Sequence, residues 1–230
     1  MHCGACNDEA MPQPSTTVSR LAEKQSTSRS QLDDLLDSTP LATVALIRDG
    51  HPVIFPTGFV RVGDELIIHG STGSPWLREL AGGASAAVSV TTLDGVLVAR
   101  SGFESSFRYR SAVLFGTFEE IDDDKNRYLQ TLTDTFIPGR VAELRASSRK
   151  EVAATLALRL AIGPDNWSLK ISDAWPEDPD EDVAAGAWAG VVPLTTVYGE
   201  PRRAPDCDAA IPVPDSVRAM TGELSNRLGR

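Results

Sequence analysis

Cysteine and histidine are scarce in this chain of 230 residues, with three of each. Cys3, Cys6 and Cys207 are too few for a disulfide scaffold. Only His51 and His69 lie inside the patterned region, which argues against a buried all-protein metal cage and against a hydrolytic triad. Positive charge is also in short supply: Lys and Arg total 22 against 32 Asp and Glu, a net charge of −10. Phosphate backbones need a basic face, so neither nucleic acid nor an anionic membrane is an expected partner. No apolar run approaches the ~18 residues of a membrane span. The first twenty residues, MHCGACNDEAMPQPSTTVSR, have no apolar core of a secretory signal. Sparse cysteine without such a signal points to the cytoplasm.

What is present is a succession of short apolar runs punctuated by turn residues. At roughly 150 residues per domain, one domain with tails is expected. Residues 1–29, rich in Ser, Thr, Pro and Gln, read as a disordered tail, residues 30–206 as the domain and 207–230 as a C-terminal extension. Ser30 to Ser38 reads as a short helix capped by Ser30, with Leu32, Leu35 and Leu36 on one face. LATVALI (41–47), His51 to Arg61 and ELIIHG (65–70) are separated by Asp49-Gly50 and Gly63-Asp64, the cue for an antiparallel meander. Ser74 and Pro75 open a helix that Gly82-Gly83 ends. SAAVSVTTL (85–93) and GVLVARS (95–101) flank Asp94-Gly95 and read as a hairpin. YRSAVLFGTFEEI (109–121) is a long strand in which Gly116 signals a bulge or a close backbone approach. A helix over Asp122 to Phe136 follows, then a helix-to-strand run over 149–162, strands at 166–172 and 188–199, and an amphipathic helix at 215–228. Nothing alternates strand with helix as a parallel sheet does. The pattern is mainly β, an antiparallel barrel with helices at its margins.

Several residue groups could carry chemistry. Cys3-x-x-Cys6 beside His2 has no second ligand pair and reads as incidental. The acidic run Asp173, Glu177, Asp178, Asp180, Glu181 and Asp182 lacks the spacing of a calcium loop and reads as a solvated loop. In IIHGSTGSPWLREL (67–80) a strand meets a helix start through a small-polar turn, where backbone N–H groups and the Ser71, Thr72 and Ser74 hydroxyls suit a phosphate. The same residues also cap helices without binding anything. In FRYRSAVLFG (107–116), Arg108 and Arg110 share one strand face, opposite Tyr109 and Ser111. An Arg there meets either a bound anion or a carboxylate at the barrel mouth, and the residues alone leave both open.

In order, PLATVAL, HPVIFPTGFV, ELIIHGSTGSPWLREL, LDGVLVARS, YRSAVLFG, FIPGR, RKEVAATLAL and WAGVVPL resemble the FMN-binding split-barrel superfamily that includes pyridoxamine 5′-phosphate oxidase. The likeness is to its flavin-nucleotide-binding branch, related to nitroimidazole reductases. It runs over residues 38–206, with HGSTGS and YRSxVxxG the most specific pieces. The resemblance implies a six-stranded split β-barrel that forms a homodimer, with FMN at each end of the interface. It places Pro56 and Thr57 against the flavin ring, and His69, Gly70 and Ser71 along the ring and ribityl chain. It puts Ser74 at the phosphate turn, Arg110 and Ser111 on a strand reaching the phosphate or ring, and Trp188 where the site closes.

There are departures from the family pattern. Pro75 and Trp76 stand where the oxidases carry an Arg-Lys pair, so the phosphate's charge partner must be Arg110, Arg78 or Lys170. Arg108 stands where the branch has Asn, and the oxidases' C-terminal substrate motif is absent. The vitamin B6 reaction is therefore not inherited, because fold does not imply function. The expectation is an FMN-dependent oxidoreductase of a small organic substrate. A flavin carrier or sensor without turnover and a haem-binding or haem-degrading relative are the alternatives, with deazaflavin as another cofactor for the barrel. Haem normally needs an axial His, here His51 or His69. No residue is assigned as a general acid or base.

Overall fold

The structure, a computed structural model, describes residues 15–18 and 20–227. In chain order the elements are β1 (Gln25–Ser26), α1 (Arg29–Ser38), β2 (Leu41–Arg48), β3 (His51–Val62), β4 (Glu65–Ser71), α2 (Pro75–Ala81), β5 (Ser85–Val98) and β6 (Ser106–Thr117). Then come β7 (Glu119–Glu120), α3 (Lys125–Phe136), α4 (Arg149–Ala153), β8 (Thr155–Ala161), β9 (Trp167–Ser172), α5 (Asp180–Ala184), β10 (Gly190–Pro193) and α6 (Asp215–Arg227). All strand pairs are antiparallel, in the order β1-β9-β6-β5-β2-β3-β4-β8-β7, with β10 added to β5. The split-barrel reading of the sequence holds. No helix among the described residues is long and apolar enough to cross a membrane.

Alternation along the strands makes the core. Ala42, Val44 and Leu46 of β2, Val88 and Val90 of β5, Ala112 and Leu114 of β6, and Leu169 of β9 turn one way into a single buried cluster. α1 adds Leu32, Leu35 and Leu36 to it, all buried. Each such side chain contributes about 1.5–3 kcal/mol by leaving water. The cap of α1 is Ser28, two residues before the expected Ser30: its side chain accepts from the Gln31 N–H, and the helix begins at Arg29. A second, smaller cluster lies outside the barrel, where Leu132, Tyr128, Leu129 and Phe136 of α3 cover Val60, Ile67 and Ala157 on β3, β4 and β8.

The split is bridged by one side chain. Asn166, just before β9, donates from Nδ2 to the carbonyls of Phe115 on β6 and Ala161 on β8, both at 2.9 Å. Its Oδ1 accepts from the Gly163 N–H at 2.8 Å, and its own carbonyl accepts from the Phe115 N–H. Gly116 sits at the same junction with φ +156, and a Cβ there would stand 2.8 Å from Leu160 Cδ1. The close approach expected at Gly116 is therefore present.

Three sequence expectations need correction. Asp94-Gly95 is not a hairpin turn. β5 runs through it as one strand of 14 residues, with the register against β6 shifting between Leu93 and Gly95. The alternation resumes after one extra residue, as in a β-bulge. Gly95 is there because β10 crosses it: a Cβ would lie 2.8 Å from the Val192 carbonyl oxygen. The expected tail gives its last residues to the fold, with Gln25 and Ser26 pairing Lys170 and Leu169 on β9. His2, Cys3 and Cys6 lie outside the described residues. The acidic loop, thirdly, is not wholly solvated. The Asp178 carboxylate is fully buried and holds both the Arg100 N–H at 2.7 Å and its guanidinium at 2.9 Å.

Candidate functional site

Four of the singled-out residues fall on the run from β4 into α2. Leu66 and Ile68 point into the barrel core, so Ile67, His69 and Ser71 stand on the outer face of β4. His69 faces Ala157 on β8. Gly58 lies one residue before the last β3–β4 pair, Phe59 with Ile68, and His69 one residue after it. A Cβ on Gly58 would be 3.0 Å from the Phe136 ring, so the end of α3 rests on this glycine. His69 thus stands opposite Ala157, a residue with a one-carbon side chain, just beyond the last β3–β4 pair.

The imidazole is partly buried, and its Nδ1 is buried without a hydrogen-bond partner among the described residues. Burial lowers its pKa from the ordinary value near 6.5, because the charged form loses hydration. His69 is consequently neutral at pH 7, the state in which a ring nitrogen can coordinate a metal. An orphaned buried polar atom costs about 1–3 kcal/mol, so a bound group that reaches it recovers that loss.

Gly70 points inward, where a Cβ would fall 2.5 Å from Leu77 Cδ1, so any other residue would push the Leu77 side chain aside. The following turn is folded on itself. Ser71 Oγ accepts from the Gly73 N–H at 3.1 Å, the Ser71 carbonyl accepts from the Ser74 N–H, and Arg78 donates to the Gly73 carbonyl at 3.0 Å. Ser74 takes the N-cap position of α2 ahead of Pro75, as the sequence suggests, but its hydroxyl makes no cap bond. Trp76, at the position where the oxidases are basic, stacks on Phe55 with centroids 4.8 Å apart.

Pro56 and Thr57 lie on β3, paired with Thr43 and Ala42 of β2. Arg110 and Ser111 lie on β6, separated from β4 by three strands in the sheet order. They point to opposite faces of the strand. Arg110 meets a carboxylate, in a bidentate pair with Asp94 whose two N–H···O distances are both 3.0 Å. Asp94 is presented by the β5 bulge, and reading Asp-Gly as a turn concealed it; the apolar alternation that resumes on the far side was the available signal. Arg108 donates to the Ala174 carbonyl and stacks over Trp175, 5.0 Å from the ring centroid. Trp188 lies beside β10, its ring against Gly190, and is 68% exposed. Within one chain, then, His69, Gly70, Ser71 and Ser74 form one group, Arg110 with Asp94 a second, and Trp188 a third.

The outer face of β2 and β3 carries large apolar side chains in water: Leu41, Ile47 and Ile54 are 57%, 66% and 66% exposed. They alternate with the core-facing residues of the same strands, so they form one face rather than scattered positions.

The family model described as pyridoxamine 5′-phosphate oxidase matches residues 28–165. The chain belongs to this pyridoxamine 5′-phosphate oxidase family of split barrels. Among solved structures, the chain is similar to the FAD and heme binding protein from Mycobacterium smegmatis, at 77% identity and a TM-score of 0.84, over 87% of this chain and 98% of that one. It is also similar to the flavocytochrome Anf3 from Azotobacter vinelandii, at 32% identity and a TM-score of 0.82, over 89% and 95% of the two chains. A candidate 5-nitroimidazole antibiotic resistance protein from Bacteroides thetaiotaomicron shares the fold at 16% identity and a TM-score of 0.54, over 64% and 86%. No curated protein matches this chain.

Proposed function

We propose that this protein is a cytoplasmic redox protein that binds a flavin and a haem, and that it works as a homodimer. The observation that carries the haem half is His69: a neutral, partly buried imidazole with an unpartnered Nδ1, opposite Ala157. The other domain histidine, His51, sits exposed at the tip of the β2–β3 turn. The 77% identical structure is described as FAD and heme binding, and the 32% identical one as a flavocytochrome; both descriptions support this reading. They favour FAD over the FMN expected from the sequence. When bound, the flavin and the haem supply the electron chemistry, and the chain's part is to hold and orient them. His69 would hold the haem iron. The strand-borne groups around Ser71 and Ser111 would hold the flavin.

Sheet order supports the dimer. Ser71 and Ser74 stand at the end of β4, while Arg110 and Ser111 stand on β6 with β5, β2 and β3 between. A second copy laid on the exposed Leu41, Ile47 and Ile54 face would cover that apolar face. Ile54→Glu is expected to give a monomer in sedimentation velocity, with the wild type a dimer at micromolar concentration.

The deciding experiment is the visible spectrum of protein purified from cells supplied with haem precursor. Flavin bands together with a Soret band are expected. His69→Ala is expected to lose the Soret band and keep the flavin bands. A Soret band that survives His69→Ala, or a wild type that takes up no haem, overturns the haem assignment.

A further inference from the structure

Six cationic side chains stand on the strands of the barrel: Arg48, Arg61, Arg108, Arg110, Arg159 and Lys170. Four are held by carboxylates, Arg48 by Glu79, Arg61 by Asp37 and Asp33, Arg110 by Asp94, and Arg159 by Glu65 and Glu119. Arg108 is bound to the Ala174 carbonyl and to the face of Trp175. Lys170 has neither an ion-pair nor a hydrogen-bond partner among the described residues. In a chain of net charge −10, Lys170 is thus the one strand cation with no side-chain partner of any kind among the described residues.

Its position is equally specific. Leu169 is fully buried and Ile171 packs against the same core, so Lys170 projects from the outer face of β9. Directly opposite it on β6 is Ser111, and opposite Ser111 on β5 is Thr91. Ala112 and Val90 beside them are buried in the core, so both hydroxyls stand on the outer face with the ammonium. One row across three strands therefore presents hydroxyl, hydroxyl, ammonium. The next row, Ser89, Val113 and Ser168, adds two more hydroxyls. Cross-strand neighbours on one face have Cβ atoms about 4.5–5.5 Å apart, a spacing that lets adjacent side chains share one tetrahedral anion.

We propose that Lys170, in line with Ser111 and Thr91, receives the phosphate of the bound flavin. This rests on the flavin reading above and assigns its charge partner. Arg110 is already neutralised by a bidentate carboxylate and points to the other face of β6 from Ser111, so the two cannot serve one phosphate from the same side. Arg78 spends a guanidinium N–H on the Gly73 carbonyl. Lys170 meets the phosphate as a point charge and the serine and threonine hydroxyls donate to its oxygens, the division of labour expected when no arginine fork is free.

The test separates phosphate recognition from flavin binding as a whole. Riboflavin, FMN and FAD are titrated against flavin-free protein by fluorescence quenching, for the wild type, Lys170→Gln, Lys170→Arg and Arg110→Gln. The wild type is expected to bind FMN and FAD more tightly than riboflavin. Lys170→Gln is expected to weaken FMN and FAD by about 10- to 100-fold, the scale of one charge-assisted contact. It should leave riboflavin affinity unchanged, so that the phosphate's advantage disappears. Lys170→Arg should restore most of that advantage. A Lys170→Gln protein that keeps the full FMN-to-riboflavin ratio overturns the proposal, and does so decisively if Arg110→Gln abolishes the ratio instead. A wild type that binds none of the three overturns the flavin reading itself. Unequal loss of FMN and FAD in Lys170→Gln tells whether the monophosphate or the pyrophosphate occupies the row.

Discussion

Replacing Asn166 is expected to loosen the barrel at its split. The side chain makes three hydrogen bonds, to the carbonyls of Phe115 and Ala161 and from the N–H of Gly163. In Asn166→Ala all three are lost, and the groups left behind are partly shielded from water. At about 1 kcal/mol net per bond the loss is about 3 kcal/mol. For a chain of this size each kcal/mol moves the melting temperature by about 2–4 °C, so a drop of about 6–12 °C follows. Asn166→Asp discriminates further. It keeps the acceptor for Gly163 but points a carboxylate at two carbonyl oxygens, so at pH 7 it should be less stable than the alanine variant. The gap should narrow as the pH falls and the protonated carboxyl regains one donor. Melting followed by circular dichroism, with urea titrations to confirm an unchanged slope, reads both effects. A melting temperature within 2 °C of the wild type for Asn166→Ala, or an aspartate variant as stable as the alanine one, refutes the bridge as a stabilising element.

Two other outcomes follow from close contacts and from charge. Gly95→Ala places a methyl group 2.8 Å from the Val192 carbonyl and should lift β10 off β5, seen as new proteolytic cleavage between residues 186 and 199 with the barrel intact. Glu143 accepts the hydroxyl and N–H of Ser216 at the start of α6, and these bonds, helped by Arg140, hold its carboxyl at a pKa of about 2 instead of the usual 4.5. A carboxyl depressed in the folded state contributes stability above pH 4.5 that is lost as the pH falls from there towards 2. Amide protection in residues 215–221 should accordingly fade on acidification in the wild type and be weak at all pH values in Glu143→Gln, as read by hydrogen exchange.

How far the sequence carried can be judged element by element. Strand alternation and turn residues were enough for β2 to β4, for α2 with Ser74 and Pro75 at its start, and for the switch from helix to strand at residues 149–162. Those features are local: each depends on periodicity of a few residues and on which side chain can cap or end an element. The turn hydroxyls of Ser71, Thr72 and Ser74 are legible for the same reason, since they follow an apolar strand and precede a helix start, whereas His69 and Gly70 enter only through the resemblance to the split-barrel family. The resemblance to the split-barrel family rested on those same local strings.

The tertiary structure decided what local strings leave open. Asp94-Gly95 satisfies the dipeptide rule for a hairpin, yet two distant strands hold it extended, β6 through Arg110 and β10 through its pass over Gly95. Pairing energy from both sides outweighs a turn preference of a residue or two. Asn166 looks like any loop asparagine until Phe115 and Ala161, 51 and 5 residues away in the chain, converge on it. The charge partners of the strand arginines follow the same logic. The sequence shows that Arg108 and Arg110 share one strand face and that Lys170 lies on another strand. Only the packed sheet shows that the arginines are occupied and that the lysine stands in line with two hydroxyls, because that depends on register between β5, β6 and β9 and not on any one of them.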